Sequence, residues 1–313
     1  HELGACAPDF PAVGGNRLIR LFPSLLSTVI IGWPFFFAEI LPMTTEHEYQ
    51  TGIVGAGWLG LPLARALQAQ GQSVAVTVSS LEKATRLRDG GIAAWPLLLA
   101  PDMAGPLPFR CRDLVICVPP SKTEDYPASV ARLCQLARAA GAGKVLFISA
   151  TSVWAPGQGE DETPSPANAR GERMRAAELA VQEGGFACAM VLRPAGLYGP
   201  DRHPGRFLAG KTLAGGGQAV NLVHLDDVVA ACQLMLAVGQ DGDAYNLSAP
   251  VHPRREQLYP FASRLLGLAP PQFIEPAGDF SPIEGQRICQ RLGFVYRWPD
   301  PAHWFAAQAS LQG

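Results

Sequence analysis

Thr51-Gly52-Ile53-Val54-Gly55-Ala56-Gly57-Trp58-Leu59-Gly60 is the stretch on which the reading of this chain turns. Four residues of strand character run straight into a G-x-G-x-x-G turn. Leu61 to Gln70 then has helical periodicity, with Gly71 as its stop signal. Each glycine has its own task in such a turn: Gly55 permits the tight bend, Gly57 lets the backbone approach a pyrophosphate, and Gly60 lets helix and strand pack closely. The helix N-terminus then offers N–H groups and a partial positive charge to phosphates. The spacing alone is a weak signal, and its place between a strand and a helix strengthens it. The turn predicts an NAD or NADP site contacted by Gly55, Ala56, Gly57, Trp58, Leu59 and Gly60; the alternative is a glycine turn that packs two elements and holds no ligand.

Strand and helix patterns alternate on from there. Ser73 to Val78 is a β-branched strand, and Leu81 to Asp89 is a polar helix closed by Gly90-Gly91. Asp113 to Val118 is a buried strand ended by Pro119-Pro120, and Tyr126 to Ala140 is an Ala-rich helix. Lys144 to Ser149 is a strand, Arg170 to Glu183 a helix, and Ala187 to Leu192 a strand again. Near-continuous apolar strands separated by helices belong to a parallel sheet covered on both faces. The expected fold is a Rossmann-type, doubly wound α/β domain over residues 43–200, completed by 219–248. Past Pro200 glycine and proline become frequent, so 201–218 and 249–313 read as a small substrate lobe.

The chain has 313 residues, is 48% hydrophobic and 17% charged, and carries a net charge of −2, so no footprint for nucleic acid is visible. Seven cysteines, an odd number with no C-x-x-C pair, argue against a disulfide framework or zinc site and for reduced thiols of the cytoplasm. Leu21 to Ala38 is uncharged and borderline in length for a membrane span, but Pro23 and Pro34 interrupt it. Met43 is the expected natural start, with 1–42 as an upstream extension; the alternative is an anchor.

Choice of dinucleotide rests on the end of the second strand. No acid stands there to hold a ribose 2′-hydroxyl. Ser79 and Ser80, with Lys83 or Arg86 nearby, suit the 2′-phosphate of NADP instead; the alternative is that the serines cap the next helix.

Several later segments together resemble the extended short-chain dehydrogenase/reductase superfamily, of the NAD-dependent epimerase/dehydratase type. They are Phe147 to Trp154, Asp161-Glu162-Thr163-Pro164, Leu192 to Pro200, Val223 to Val228 and Tyr245-Asn246-Leu247. The G-x-G-x-x-G spacing, Arg202 to Phe207, Asn221 to His224 and the tail around Arg287-Ile288-Cys289 resemble its atypical, YeeZ-like branch. The resemblance implies that Val118, Pro119 and Pro120 lie beside the adenosine ribose, and Ser149, Arg193 and Pro194 near the nicotinamide. It also implies an NAD(P)-dependent oxidoreductase or epimerase acting on a small polar substrate, and it allows a homodimer.

This sequence departs from the superfamily where chemistry is done. Arg170 falls at the position of the usual tyrosine, Met174 at that of the lysine and Ala150 at that of the catalytic serine. A guanidinium stays protonated and cannot move the proton that a phenol moves. Ser149, Thr151 and Ser152, at a strand's carboxyl end, are candidates to replace the serine, the alternative being local turn bonds. Arg170 is a candidate to hold a substrate carboxylate or phosphate, the alternative being a helix-surface arginine. His203, with Arg202 and Arg206, sits in a loop placed to close over an anionic substrate, or in a mere surface loop. Asp226 and Asp227 read as an N-cap pair, His224 as structural, and Asp161 and Glu162 as solvated charges. No metal-ligand spacing is present. Loss of all three usual groups leaves a competing expectation: a non-catalytic NAD(P)-binding sensor or scaffold.

Overall fold

A computed structural model describes residues 48–274 and 278–310 of the chain. The readings of residues 1–42 and of Met43 as a start lie outside the described residues. Among the described residues no helix is long and apolar enough to cross a membrane.

The elements run in chain order as β1 (Glu48–Val54), α1 (Gly60–Ala69), β2 (Val74–Val78), α2 (Leu81–Asp89), β3 (Ala93–Pro96), β4 (Arg110–Ile116), α3 (Tyr126–Ala139), β5 (Lys144–Ile148), α4 (Ala169–Gln182), β6 (Cys188–Pro194), β7 (Gly196–Tyr198), α5 (Pro204–Leu208), β8 (Thr212–Leu213), β9 (Leu222–His224), α6 (Leu225–Val238), β10 (Ala244–Leu247), α7 (Arg255–Leu265), β11 (Gln272–Phe273), α8 (Arg287–Leu292) and α9 (Pro301–Ser310). Seven strands form one parallel sheet in the order β10-β6-β5-β4-β1-β2-β3, the doubly wound Rossmann arrangement.

Side-chain alternation splits the core into two layers. Ile53, Val76, Val115 and Leu146 face α1 and α6, and Val54, Leu114, Ile116 and Phe147 face α3 and α4. Both faces are covered, so the strands read as unbroken apolar runs. β1 pairs with β2 on one side and β4 on the other, Val54 lying opposite both Thr77 and Ile116. Connections leave β1 in opposite directions at this point, and the carboxyl ends of β1 and β4 splay into a crevice.

Two elements differ from the expectation. Ala93–Pro96 forms the edge strand β3, too short and too polar in its flanks to show periodicity; its proline ends an edge strand, where a missing N–H is tolerated. The strand expected to reach Val118 ends at Ile116. Past Pro200 the short α5 packs on α7, with Tyr198, Leu258, Trp304 and Phe305 in a small separate core.

Candidate functional site

The crevice holds the glycine turn. Gly55 has φ +101°, a conformation that only glycine adopts without strain. A Cβ on Gly60 would lie 2.3 Å from the Gly55 carbonyl oxygen, so only a hydrogen allows α1 to pack this close to β1. A Cβ on Gly57 would meet nothing within 4 Å, and Gly57 lines the groove: here the backbone is bare toward the ligand side. The Gly55 and Ala56 amides are bonded to Thr77. The amides of Trp58, Leu59 and Gly60 have no hydrogen-bond partner among the described residues, and no side chain caps α1. Three successive unpaired N–H groups at a helix N-terminus form an anion cradle, so the residues present fit a dinucleotide diphosphate.

The groove widens at both ends of this cradle. The outer part, about 180 Å³, is lined by Gly55, Ala56, Gly57, Ser79, Lys83, Val118, Pro119 and Lys122, with Leu97, Leu98 and Leu99 as an apolar wall. Ser80 is not in the lining. Its hydroxyl accepts from the Lys83 amide at 3.4 Å as the N-cap of α2, so of the two serines only Ser79 faces the groove. Arg86 pairs with Glu82 on the solvent side of α2. Lys122 and the Leu97–Leu99 wall escaped the sequence reading, since Lys122 ends a short 3₁₀ turn and the wall follows the edge strand β3, neither of which it resolved.

The inner part is a cavity of about 530 Å³ that shares Cys117, Val118 and Pro119 with the outer one. Trp58, Leu59, Pro120, Ser149, Ala150, Arg170, Met174, Pro194, Arg202 and Phe207 line it. Arg170, Met174 and Ala150 thus face one cavity. Thr151 and Ser152 lie in a 3₁₀ turn behind this wall and are absent from the lining.

Ser149 and Arg193 are committed elsewhere. Glu178 on α4 is fully buried and accepts from the Ser149 hydroxyl at 2.6 Å and from Arg193 Nε and Nη2 at 2.8 and 2.9 Å. Arg175 adds a further bond at 2.9 Å. The Arg193 guanidinium also lies 4.9 Å over the Trp154 ring, and the Trp154 indole N–H donates to Asn246. Arg193, expected beside the nicotinamide, therefore turns its side chain into an ion cluster behind the site; only Pro194 of that pair lines the cavity. Sequence spacing did not reveal Glu178 as the hub, because its partners come from three separate elements.

The loop after β7 closes one side. The Trp58 indole donates to the Pro200 carbonyl at 2.9 Å, and the Arg202 guanidinium stacks 4.7 Å from the same ring. The His203–Arg206 reading needs correction: Arg202 and Phe207 face the groove, whereas His203 and Arg206 line a different cavity. His224, not Asp226 or Asp227, caps α6, its Nδ1 accepting from the Asp226 amide at 3.1 Å. Asp227 instead accepts from the Arg297 and Trp298 amides, and Asp161 pairs with Arg287. Burial pushes the Cys117 thiol up to about 12, so near neutrality it stays a protonated thiol rather than a thiolate.

Residues 125–248 match the NAD dependent epimerase/dehydratase family. Protein YeeZ of Escherichia coli strain K12 is 38% identical over 266 residues, a match that spans 80% of this chain and 97% of that protein. Among solved structures, a functionally unknown conserved protein from Silicibacter pomeroyi DSS shares the fold at a TM-score of 0.69 and 23% identity, covering 84% of this chain and 99% of that one. RMD from Pseudomonas aeruginosa, solved with NADPH, does so at a TM-score of 0.63 and 16% identity, covering 84% and 100%.

Proposed function

This chain belongs to the NAD-dependent epimerase/dehydratase family, in its YeeZ-like branch, and from that premise we propose that it is an NAD(P)-dependent oxidoreductase or epimerase acting on a small anionic substrate. One observation carries the proposal: the amide cradle opens directly into a cavity whose only charged lining groups, among the described residues, are two guanidinium groups, Arg170 and Arg202. Arg170 is the second residue of α4, where a cation opposes the helix dipole; the position gives up local stability and adds to the positive potential over the cavity. Arg202 is held across the glycine turn by Trp58. Two arginines without a carboxylate among them suit a substrate carboxylate or phosphate.

A bound nicotinamide dinucleotide supplies a hydride donor or acceptor. The protein's own residues then do the rest: the cradle orients the diphosphate, Pro119 and Pro120 stiffen the wall, and Arg170 and Arg202 hold the substrate's anionic group. The outer groove favours NADP, since Ser79, Lys83 and Lys122 offer a hydroxyl and two ammonium groups to a 2′-phosphate. Relatives point both ways, as the family description names NAD and RMD was solved with NADPH.

The test is fluorescence titration with NADPH and NADH, followed by NADPH oxidation across carbonyl compounds that carry a carboxylate or phosphate. Turnover confined to anionic compounds, with KM raised in Arg170→Gln, is the expected result. A second reading, a non-catalytic NAD(P)-binding sensor or scaffold, is favoured by Arg170, Met174 and Ala150 standing where a proton donor is needed. Tight dinucleotide binding with no turnover on any anionic carbonyl compound decides for it. No binding of either dinucleotide overturns both.

A further inference from the structure

Outside the groove, α5, α7 and α9 border a cavity of about 360 Å³. His203, Arg206, Leu265, Trp304, Phe305 and Gln308 line it. His203 is 7% exposed, and its Nδ1 accepts from the Gly205 amide at 3.2 Å. Burial, reinforced by the Arg206 guanidinium, keeps this imidazole neutral by lowering its pKa. A neutral ring with Nδ1 accepting must carry its proton on Nε2, which makes Nε2 a donor. That donor is buried and has no partner among the described residues.

Two more orphans surround the same indole. His224 Nδ1 is likewise occupied, so its Nε2–H is a second unpaired buried donor, and the Tyr198 hydroxyl is a third unpaired group. The rings of His203, His224 and Tyr198 lie 5.8, 5.0 and 5.5 Å from Trp304. These are three of the six buried side-chain polar atoms without a partner among the described residues. Folded proteins seldom leave such atoms unpaired; of the three, His203 lines the cavity, and its Nε2–H is the donor that a ligand there would meet.

We propose that this cavity binds a small carboxylate with an apolar body, the carboxylate taken by His203 Nε2–H and Arg206, and the body by Trp304, Phe305 and Leu265. The chemistry is set by the donors. A neutral N–H and a guanidinium donate only, so the ligand must accept. Asp201 stands at the exposed rim, where water and salt screen its charge; the His203 donor lies in the buried wall. Beside these donors and Gln308, the lining includes Trp304, Phe305, Leu265 and Leu266, an aromatic and aliphatic part that a fully polar anion would leave unused.

The test is calorimetric titration of the full chain with benzoate, with benzyl alcohol as the uncharged counterpart. Saturable benzoate binding is expected, at least tenfold weaker in Arg206→Gln and in His203→Asn, while both variants keep wild-type NADPH affinity. Asn at 203 still offers an acceptor to the Gly205 amide but lacks the far donor. Arg206 is exposed, so Arg206→Gln carries the test if the buried substitution prevents folding. Absence of saturable heat, equal binding of benzyl alcohol, or unchanged affinity in Arg206→Gln overturns the proposal.

Discussion

Single atoms separate ligand binding from folding at the glycine turn. A Cβ at Gly57 enters open groove, while one at Gly60 enters the Gly55 carbonyl. Gly57→Val should therefore keep a wild-type melting temperature and lose dinucleotide affinity at least tenfold, because the side chain occupies the diphosphate's approach. Gly60→Ala should do the opposite in order: overpacking against backbone costs about 1–3 kcal/mol, and the melting temperature falls before affinity is measured. Thermal melts with and without NADPH distinguish the two. Lys83 poses the matching question for specificity. It lines the outer groove beside Ser79, whereas Arg86 is engaged with Glu82. Lys83→Ala should weaken NADPH binding about tenfold, the loss of one charge-assisted contact, and leave NADH unchanged. Equal weakening of both would remove the case for NADP.

At the scale of elements, β5, α4 and β6 are bound together by one carboxylate. Glu178 accepts from Ser149, Arg175 and Arg193 while fully buried. Removing its charge strands a buried guanidinium, so Glu178→Gln should cost about 3–5 kcal/mol by chemical denaturation. Ser149→Ala removes one hydrogen bond to the same group and should cost about 1–2 kcal/mol, with kcat unchanged if the hydroxyl only positions α4. A large fall in kcat in Ser149→Ala at wild-type stability would return the serine to the reaction. This cluster also marks where the sequence stops being legible. The strand–turn–helix units read directly from Thr51 to Leu192 because each is local and repeats one apolar pattern. The glycine turn was legible as a turn for the same reason, since it lies in ten consecutive residues between a strand and a helix. Glu178, the β3 edge, Lys122 and the Leu97–Leu99 wall did not, since their roles come from partners many residues away or from a four-residue strand without periodicity. Arg193 was misplaced because a motif fixes where a backbone runs, and the side chain follows whichever buried charge it meets.

Across the whole molecule, protons link the helix cap of α6 to the C-terminal segment. Burial, aided by Arg297 and opposed by Asp226, lowers the His224 imidazole to about 4. Burial raises Asp227 to about 6, despite the Arg297 and Trp298 amides that favour its charged form. The two act in opposite directions. His224 keeps its stability above pH 6.5 and loses it as pH falls through 4; Asp227 contributes most below pH 3.8 and loses that as pH rises through 6. Between pH 4 and 6 the unfolded chain carries a proton on the histidine, the folded chain carries one on the aspartate, and the proton count barely changes. Stability should stay nearly flat across that window. Asp227→Asn removes one arm and should expose the other: whatever its stability at pH 7, the variant should lose about 2 kcal/mol more than the wild type on acidification from pH 6.5 to 4. Urea midpoints measured at half-unit intervals check this. A variant curve that stays flat from pH 6.5 to 4 would mean that His224 is not held neutral, and the Nε2–H tautomer assigned to it would go with it; a curve parallel to that of the wild type would mean that Asp227 is not raised.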